Sequence, residues 1–264
     1  MINGLIYVYC ISNSHPELSR NTLFKGLQQI SFRGLNVVIR MVSESEFSED
    51  NLKRNLTDLA WLDSYAREHI RIISLLMEDC TVIPFNFGTI YNSQDSLLRF
   101  LEDYYDSLIE KIEYISGKEE WGIKMYFNHT MLIEQIDELS MEAADLEKQI
   151  MASSPGKAFL LRRKKSELIE SEMNRLTKSY GQDYFNQLKK ISEATMLNNL
   201  LPKELTGRDD TMILNASFLL YKDKASDFTA TLNFLREKCV GFGFDIEFTG
   251  PWPPFSFISI KEKV

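Results

Sequence analysis

The chain has 264 residues, of which 44% are hydrophobic and 26% are charged, and it carries a net charge of −8 at pH 7. This composition is typical of a globular protein with a sizeable core, and the length suits one large domain or two of ordinary size. The negative charge and the lack of a long lysine and arginine tract argue against nucleic acid as a partner. No apolar run approaches the roughly 20 residues that span a bilayer, and the first residues do not form a signal-peptide pattern.

The first part of the chain alternates strand-like and helix-like segments. Strands are predicted over residues 5–11, 35–42 and 81–87, and helices over residues 22–30, 48–77 and 93–115. Pro84 lies inside the third strand, which favours an edge strand or a bulge. We therefore expect an α+β domain over residues 1–117, ending at the helix-breaking Gly117.

The second part of the chain, residues 118–264, combines further strands with a long helical segment. Strands are predicted over residues 121–127, 212–221, 244–248 and 255–260, and a helix over residues 225–240. Between them, two apolar stripes predict two helices that pack as an antiparallel hairpin over about residues 130–197. Ser154 and Pro155 are typical of the N-cap and first position of the second helix. That helix could reach roughly 60 Å if Gly181 does not break it.

The predicted hairpin has a defined apolar pattern. Its stripes are Leu132, Ile136, Leu139, Ala143, Leu146 and Ile150 in the first helix, and Leu161, Ile169, Met173, Leu176, Tyr180, Tyr184, Leu188 and Ile191 in the second. Five methionines also lie along it: Met131, Met141, Met151, Met173 and Met196. Two interpretations stay open. These methionines either fill gaps against the sheet, or they form an adaptable apolar surface for a partner helix.

Motifs for catalysis or metal binding are absent from the sequence. It has no phosphate-binding glycine loop, paired-histidine zinc motif or nucleophile elbow, and no cofactor or metal is predicted. Glu68, His69 and Asp79 form the only loosely plausible catalytic cluster, although the pattern favours a surface or capping role for His69 on the polar flank of a helix. The basic run from Arg162 to Lys165 is expected to pair with the glutamates that follow it. The three cysteines suit buried thiols in a reducing cytosol.

The stretch TGPWPPFSFISI near the end of the chain is unusually stiff. Its three prolines fix φ near −65° and push the residues before them toward extended geometry. Trp252 and Phe255 are therefore presented with little conformational entropy left to lose. Either both aromatic side chains tuck under the sheet, or Trp252, Pro253, Pro254 and Phe255 form a preorganised docking surface for a partner.

The segment GPWPPFSF at residues 250–257 resembles the C-terminal signature of the gas vesicle protein GvpF/GvpL family, which usually reads GPWPPYSF. Further similar segments follow in the family's order: LIYVY from Leu5, REH from Arg67, TVIPFNFGTI from Thr81, WGIK from Trp121 and PGKAFLLRR from Pro155. The two segments that combine proline with aromatic residues are the specific ones. Phe255 stands where the family usually has tyrosine and Asn86 where arginine is common, so this chain lacks that hydroxyl and that guanidinium.

This resemblance implies a gas vesicle accessory protein, needed to assemble the hollow protein shell and not known as an enzyme. The implied partners are the major shell protein GvpA and other accessory proteins, with no nucleic acid and no lipid membrane. The implied location is the gas vesicle, and the cytoplasm before assembly. The implied fold has two domains, the C-terminal one ferredoxin-like with the helical hairpin as an insertion. An apolar shell subunit needs a partner before assembly, which agrees with this role.

Two classes of function remain at this point. The first is an assembly or shell-associated binding protein. The second is an enzyme with a site around Glu68 and His69. A cleft in which His69 bonds to a carboxylate would favour the enzyme, whereas a dry surface held by ion pairs would count against it.

Overall fold

The computed structural model describes residues 4–134 and 140–258, and the chain forms two compact units. The first unit comprises the chain up to Glu120 together with residues from Pro251 onward, and the second comprises Trp121–Gly250. No helix within the described ranges is long and apolar enough to cross a membrane. The domain limits expected from the sequence, 1–117 and 118–264, stay a prediction.

The helices and strands follow one another along the chain in a mixed order. In the first part they are β1 (Leu5–Ser12), β2 (Leu27–Phe32), β3 (Leu35–Val42), α1 (Glu44–Phe47), α2 (Glu49–Asn55), α3 (Leu59–Met77), β4 (Val82–Pro84), β5 (Ile90–Tyr91) and α4 (Gln94–Ile115). They continue as β6 (Lys118–Phe127), α5 (His129–Glu134), α6 (Met141–Met151), α7 (Pro155–Lys189), β7 (Ala194–Leu197), α8 (Lys203–Thr206), β8 (Thr211–Tyr221), α9 (Ala225–Val240) and β9 (Phe244–Trp252).

The sheet of the first unit has the strand order β2-β3-β1-β4, and β5 also pairs with β1. The strands predicted over residues 5–11 and 35–42 are confirmed as β1 and β3, which pair antiparallel from Leu5 opposite Val42 onward. The third predicted strand is shorter than expected. This strand is β4, which ends at Pro84 and lies last in the strand order. The edge position that Pro84 favoured is therefore confirmed.

The helix expected over residues 22–30 was wrong for most of its length. Only Thr22–Phe24 is helical, as one 3-10 turn, and the chain then enters β2. β2 pairs with β3 along all six of its residues. Arg33 and Gly34 connect the two strands with φ of 46° and 87°, the positive values that a tight hairpin turn requires. Strand pairing therefore outweighs the local helical spacing of Leu27 and Ile30.

The helix expected over residues 48–77 is divided into α2 and α3. The break falls at residues 56–58, where the Asp58 carboxylate accepts hydrogen bonds from the backbone N–H groups of Ala60 and Trp61. This side chain caps the first turn of α3 and satisfies donors that a helix start leaves free. By contrast, the helix expected from Ser93 to Ile115 is confirmed as α4, with Ser93 as its N-cap in a capping box.

The first unit has three layers, because its sheet carries a helix on each face. All eight residues of β1 are buried. Ile6 and Val8 pack into a core with residues of α4, while Tyr7 and Tyr9 pack on the other face with residues of α3. The alternation of side chains along a strand thus sends β1 into two separate cores.

The sheet of the second unit has the order β7-β8-β6-β9. The strands expected over residues 121–127 and 212–221 and the helix over 225–240 are confirmed as β6, β8 and α9. A single core joins one face of this sheet to α6, α7 and α9. Trp121 and Phe218 contribute to it from the strands, Leu188 from α7, and Phe228 from α9. β7, at the edge of the sheet, had not been expected, since this segment was included in the helical hairpin.

α6 and α7 pack against each other as a hairpin, which confirms the antiparallel pair expected from the sequence. α7 begins at Pro155 and runs for 35 residues, about 52 Å at 1.5 Å per residue, rather than roughly 60 Å. Gly181 does not break it. An added Cβ there would lie 3.4 Å from the backbone oxygen of Ile213, so glycine allows the helix to approach β8 closely. Ile136 and Leu139 of the predicted first stripe, and the side chain of Leu132, lie outside the described residues.

Candidate functional site

A buried polar cluster joins β1, α3 and the segment after β4 in the first unit. The Nδ1 atom of His69 lies 2.8 Å from the Tyr7 hydroxyl, and its Nε2 atom lies 2.9 Å from the backbone oxygen of Phe85. Because a carbonyl oxygen can only accept, Nε2 carries the proton and Nδ1 accepts from Tyr7. The backbone N–H of Gly88 donates in turn to the Tyr7 hydroxyl over 3.3 Å.

The electrostatics of this cluster favour neutral groups. Burial lowers the pKa of His69 to about 4 and raises the pKa of the Tyr7 hydroxyl well above its usual range. Both ring nitrogens of a neutral His69 are occupied by hydrogen bonds to the protein itself. The arrangement therefore ties the sheet to α3 and does not present a proton to a substrate.

The expectation that His69 lies on the polar flank of its helix was wrong, because it is only 2% exposed. The buried face of α3 includes His69, Ile72, Ile73 and Leu76. The helical spacing of apolar residues predicts one face with Ile70, Ile73 and Met77; the last two are buried, whereas Ile70 is exposed. His69 lies four residues before Ile73, and this spacing of about one helical turn indicates that the two share a face of α3.

The three residues of the possible catalytic cluster are engaged separately. The Glu68 carboxylate accepts from Arg40 at 2.6 Å, and Asp79 pairs with Arg20 at 2.6 Å. His69 bonds to a tyrosine and a carbonyl, not to a carboxylate. The described residues also contain no group of three histidine, cysteine or acidic side chains placed to hold a metal ion. The arrangement that would favour the enzyme, a carboxylate bonded to His69, is therefore not found among these three residues.

A cavity of about 220 Å³ lies on the α1 side of this cluster. Tyr7 and Tyr9 of β1, Arg40 of β3 and Glu68 of α3 line it together with residues of α1. No motif in the sequence predicts this cavity. The signal for it was the alternation that puts Tyr7 and Tyr9 on the same face of β1 as the REH segment of α3.

The proline-rich segment at residues 250–257, here called the corner, combines buried and exposed residues. Pro253 and Pro254 are buried, and Phe255 packs partly buried against the core on the α3 side of the first sheet. Trp252 is 38% exposed. Pro253, Pro254 and Phe255 therefore pack against the protein, as the first interpretation expects. Trp252 keeps part of its surface in contact with solvent, as the second interpretation requires.

The strand expected over residues 255–260 was wrong over its described part, and residues 259–260 lie outside it. Phe255–Phe257 forms a 3-10 turn, in which Phe255 donates to the Pro253 oxygen at 2.7 Å and Phe257 to the Pro254 oxygen at 3.2 Å. Two prolines without N–H groups cannot donate to a sheet ladder, so the chain leaves β9 here.

Glu120 holds the corner in place. This buried carboxylate accepts a hydrogen bond from the backbone N–H of Ser256 at 2.8 Å and a second from the Ser256 hydroxyl. These two hydrogen bonds join the turn after Pro254 to β6. The serine of the GPWPPFSF segment thus has a structural role. It was missed because its partner lies 136 residues earlier in the sequence.

The helical hairpin of the second unit carries an exposed apolar surface. Of its five methionines only Met173 is buried, whereas Met141 and Met151 are 86% and 78% exposed. Phe159 and Leu160, near the start of α7, are exposed as well. Gap filling against the sheet was therefore wrong for the two methionines of α6. The ion pairs expected between the basic run and the glutamates after it are confirmed for Arg163 with Glu167, whereas Lys165 pairs across the hairpin with Glu147.

Comparison with protein families gives a match over nearly the whole chain. The sequence model of the family described as "Gas vesicle synthesis protein GvpL/GvpF" matches residues 5–259. Gas vesicle protein L of Streptomyces sp. (strain CB03234) is 26% identical over 263 residues, which cover 98% of this chain and 94% of that protein. Gas vesicle protein L1 of Halobacterium salinarum (strain ATCC 700922 / JCM 11081 / NRC-1) is 25% identical over 185 residues, which cover 67% and 63% respectively.

Solved structures give a consistent result for the fold. The crystal structure of the gas vesicle protein GvpF from Anabaena sp. PCC7120 matches with a TM-score of 0.70 and 17% identity, covering 98% of this chain and 100% of that one. The structure of GvpF from Microcystis aeruginosa matches with a TM-score of 0.63 and 16% identity, covering 97% and 99%. At these identities the similarity concerns the fold alone.

Proposed function

This chain belongs to the GvpL/GvpF family and takes part in gas vesicle formation, and we propose that it does so as a non-catalytic assembly protein that binds the major shell protein GvpA. It would also contact other gas vesicle accessory proteins. The proposal places it at the gas vesicle, and in the cytoplasm before assembly, without contact with a lipid membrane.

The geometry around His69 supports a non-catalytic role. Glu68 and Asp79 each pair with an arginine, and both nitrogens of His69 are bonded to protein groups. A general base needs a free lone pair directed at a substrate proton. The alternative of an enzyme with a site around Glu68 and His69 therefore has no supporting observation among the described residues.

The observation that carries the binding proposal is the position of Trp252. It lies in the segment that resembles the family's C-terminal signature, and the buried Pro253 and Pro254 directly follow it. A tryptophan on a rigid backbone loses little entropy on binding and offers a large apolar contact. We therefore propose Trp252 as the anchor for the shell protein, with Pro253, Pro254 and Phe255 as its support.

The fold proposal is a pair of domains of which the second is ferredoxin-like. From β6 to β9 the order of elements is strand, helices, strand, strand, helix, strand, and the sheet order is β7-β8-β6-β9. This β-α-β-β-α-β order supports a ferredoxin-like arrangement in which the α6–α7 hairpin enlarges the first helical crossover.

The proposed binding is tested with Trp252→Ala. Purified wild-type protein is expected to capture purified GvpA, and the variant is expected to bind at least tenfold more weakly, because an anchor tryptophan typically contributes about 2 kcal/mol or more. In a strain that lacks the native protein, the variant is expected not to restore flotation. Phe234→Ala, at another exposed aromatic side chain, is the matched control and is expected to bind normally.

Stability measurements separate docking from packing. Trp252 is partly buried, so we expect its loss to lower the free energy of unfolding by about 2 kcal/mol, less than the roughly 3–5 kcal/mol of a fully buried tryptophan. Binding is therefore compared below the melting temperature of both variants. If folded Trp252→Ala binds GvpA normally, the anchor is elsewhere. If the wild-type protein does not bind GvpA, the proposed function itself is wrong.

A further inference from the structure

The cavity beside β1 has aromatic walls. Its lining includes the rings of Tyr7, Tyr9, Phe47 and Tyr65, contributed by β1, α1 and α3. The rings of Tyr7 and Phe47 are 5.8 Å apart, and those of Phe47 and Tyr65 are 5.6 Å apart. These rings are in edge-to-face contact with one another, and a ring face that reaches the cavity attracts a cation within about 6 Å of its centre through the ring quadrupole.

The charged groups at this cavity leave it net negative. Among the described residues that line it, the one cation is Arg40, whose Nη1 donates to Glu68 at 2.6 Å and whose guanidinium lies 5.6 Å from the centre of the Tyr9 ring. Glu46 is a second carboxylate at the cavity, and its closest described partner is the Tyr65 hydroxyl at 3.3 Å. One arginine against two glutamates gives a charge of −1.

The Tyr9 hydroxyl is an independent indication of a ligand. Tyr9 is only 4% exposed and lines the cavity, and its hydroxyl makes no hydrogen bond to any described residue. Tyr7, two residues earlier on the same face, has its hydroxyl bonded on both sides by His69 and Gly88. The Tyr9 hydroxyl is not among the fully enclosed polar atoms, so it reaches the cavity and is available to a bound molecule.

The volume of the cavity limits the kind of ligand that it can hold. A volume of about 220 Å³ is below the roughly 300–1,000 Å³ of sites for small molecules and cofactors, and it suits one long side chain. The two polar groups that remain available there, the Glu46 carboxylate and the Tyr9 hydroxyl, can both accept a hydrogen bond. A planar guanidinium has five donors and stacks on aromatic rings, which an ammonium group does less well.

We propose that this cavity binds the side chain of an arginine from a partner protein chain. The guanidinium packs against the aromatic lining of the cavity and donates to the carboxylate of Glu46 and to the Tyr9 hydroxyl. This site is separate from Trp252 and does not depend on binding of the shell protein. It gives the first unit a docking point that selects a partner by one charged residue.

The test uses N-acetyl-arginine amide as the probe and N-acetyl-citrulline amide as its neutral control of the same shape. Binding to the full chain is followed by NMR through the indole N–H signal of Trp61, whose ring stacks on Tyr65 at 4.4 Å. We expect saturable binding of the arginine probe with a Kd of about 1 mM, since drug-sized ligands gain about 0.3 kcal/mol per atom. The citrulline probe is expected to bind at least tenfold more weakly.

Variants of the chain assign the binding to this cavity. Glu46→Gln and Tyr9→Phe are each expected to weaken the arginine probe about fivefold. Glu44→Gln makes the same charge change two residues before Glu46, at a side chain that does not line the cavity, and is expected to bind like the wild type. Equal binding of the arginine and citrulline probes, no saturable shift at Trp61, or equal losses in Glu44→Gln and Glu46→Gln would overturn the proposal. Unchanged melting temperatures show that the variants are folded.

Discussion

The sheets of the two units are enclosed in different ways. In the first unit a central strand is buried along its whole length, because α3 covers one face and α4 the other. In the second unit the core that the sheet shares with α6, α7 and α9 takes alternate residues of β8. β8 begins with alternating buried and partly exposed residues, and only its later part, from Ala216 to Leu220, is buried at every position. A sheet between two helical layers demands apolar residues at every position of its central strand, whereas a sheet covered on one face demands them at every second position.

The polar groups beside the two sheets also differ in how far they are buried. In the first unit the neutral pair Tyr7 and His69 is enclosed, and the nearby ion pair of Arg40 with Glu68 is partly exposed. In the second unit the Arg208 guanidinium lies 4.2 Å from the centre of the Tyr126 ring on β6. Arg208 also pairs with three carboxylates while staying partly exposed; they belong to Asp210, Asp245 and Glu247. An unpaired charge is costly to bury, so enclosed polar groups are mostly neutral and hydrogen-bonded. Ion pairs are tolerated where the side chains remain partly exposed to solvent.

The largest expected effect concerns enclosure on both faces. Ile6→Ala empties a fully buried position of β1 and is expected to lower the free energy of unfolding by about 4 kcal/mol. Ile213→Ala, at a partly buried position of β8, is expected to cost about 1–2 kcal/mol. Urea denaturation measures both. Equal losses would mean that the two sheets are equally enclosed.

His69 makes the stability of the first unit depend on pH. The pKa of its imidazole is about 4 when folded and near 6.5 when unfolded, so the unfolded chain binds more protons between these values. Its contribution is complete above about pH 6.5 and is lost as the pH falls to about 4, by about 3 kcal/mol. Unfolding of the wild type and of His69→Gln between about pH 4 and 8 measures this, with His15→Gln at an exposed histidine as the control. Parallel pH profiles for all three proteins would contradict it.

Arg208 provides the corresponding test in the second unit. Arg208→Ala leaves three carboxylates without their cation and uncovers Tyr126, and we expect a loss of about 2 kcal/mol that becomes smaller at high salt. The hydrogen bond from Arg208 lowers the pKa of Asp210, so this contribution is present above about pH 4 and is lost as the pH falls further, below the range of His69. Arg163→Ala, at a mostly exposed ion pair, is expected to change little. A loss that does not respond to salt would argue against an ionic origin.

The smallest effect compares two tyrosines on one face of β1. Tyr7→Phe removes a hydroxyl that bonds to His69 and Gly88, and should cost about 1–2 kcal/mol. Tyr9→Phe removes a hydroxyl without a described partner, and its stability is expected to stay within about 0.5 kcal/mol of the wild type. Thermal and urea unfolding give both values. A destabilised Tyr9→Phe would show that its hydroxyl already has a structural partner.

Segments with a strong local pattern could be predicted from the sequence. The runs that form β1 and β3, the capped helix α4 and the proline start of α7 all follow from residue types within one segment. Asp58 is a local signal for a helix start, but apolar residues at helical spacing continue on both sides of it and favour one helix over residues 48–77.

Features that depend on distant pairing could not be predicted in the same way. Leu27 and Ile30 are spaced as on a helix, and only the pairing with β3 makes their segment a strand. The alternation at residues 255–260 is typical of a strand, but the prolines before it redirect the chain. The cavity and the Glu120–Ser256 contact require residues far apart in sequence to meet, and no spacing within one segment records that.

The return of the chain from Pro251 to the first unit has a consequence for synthesis. The second unit is inserted between Glu120 and Pro251, so the ribosome completes all of it before Ser256 exists to meet Glu120. Until then the Glu120 carboxylate lacks the two hydrogen bonds from Ser256, and the first unit lacks the contact of Phe255 with its core. Its final closure is therefore a late event in translation, after the helical hairpin has already emerged and become available to other proteins.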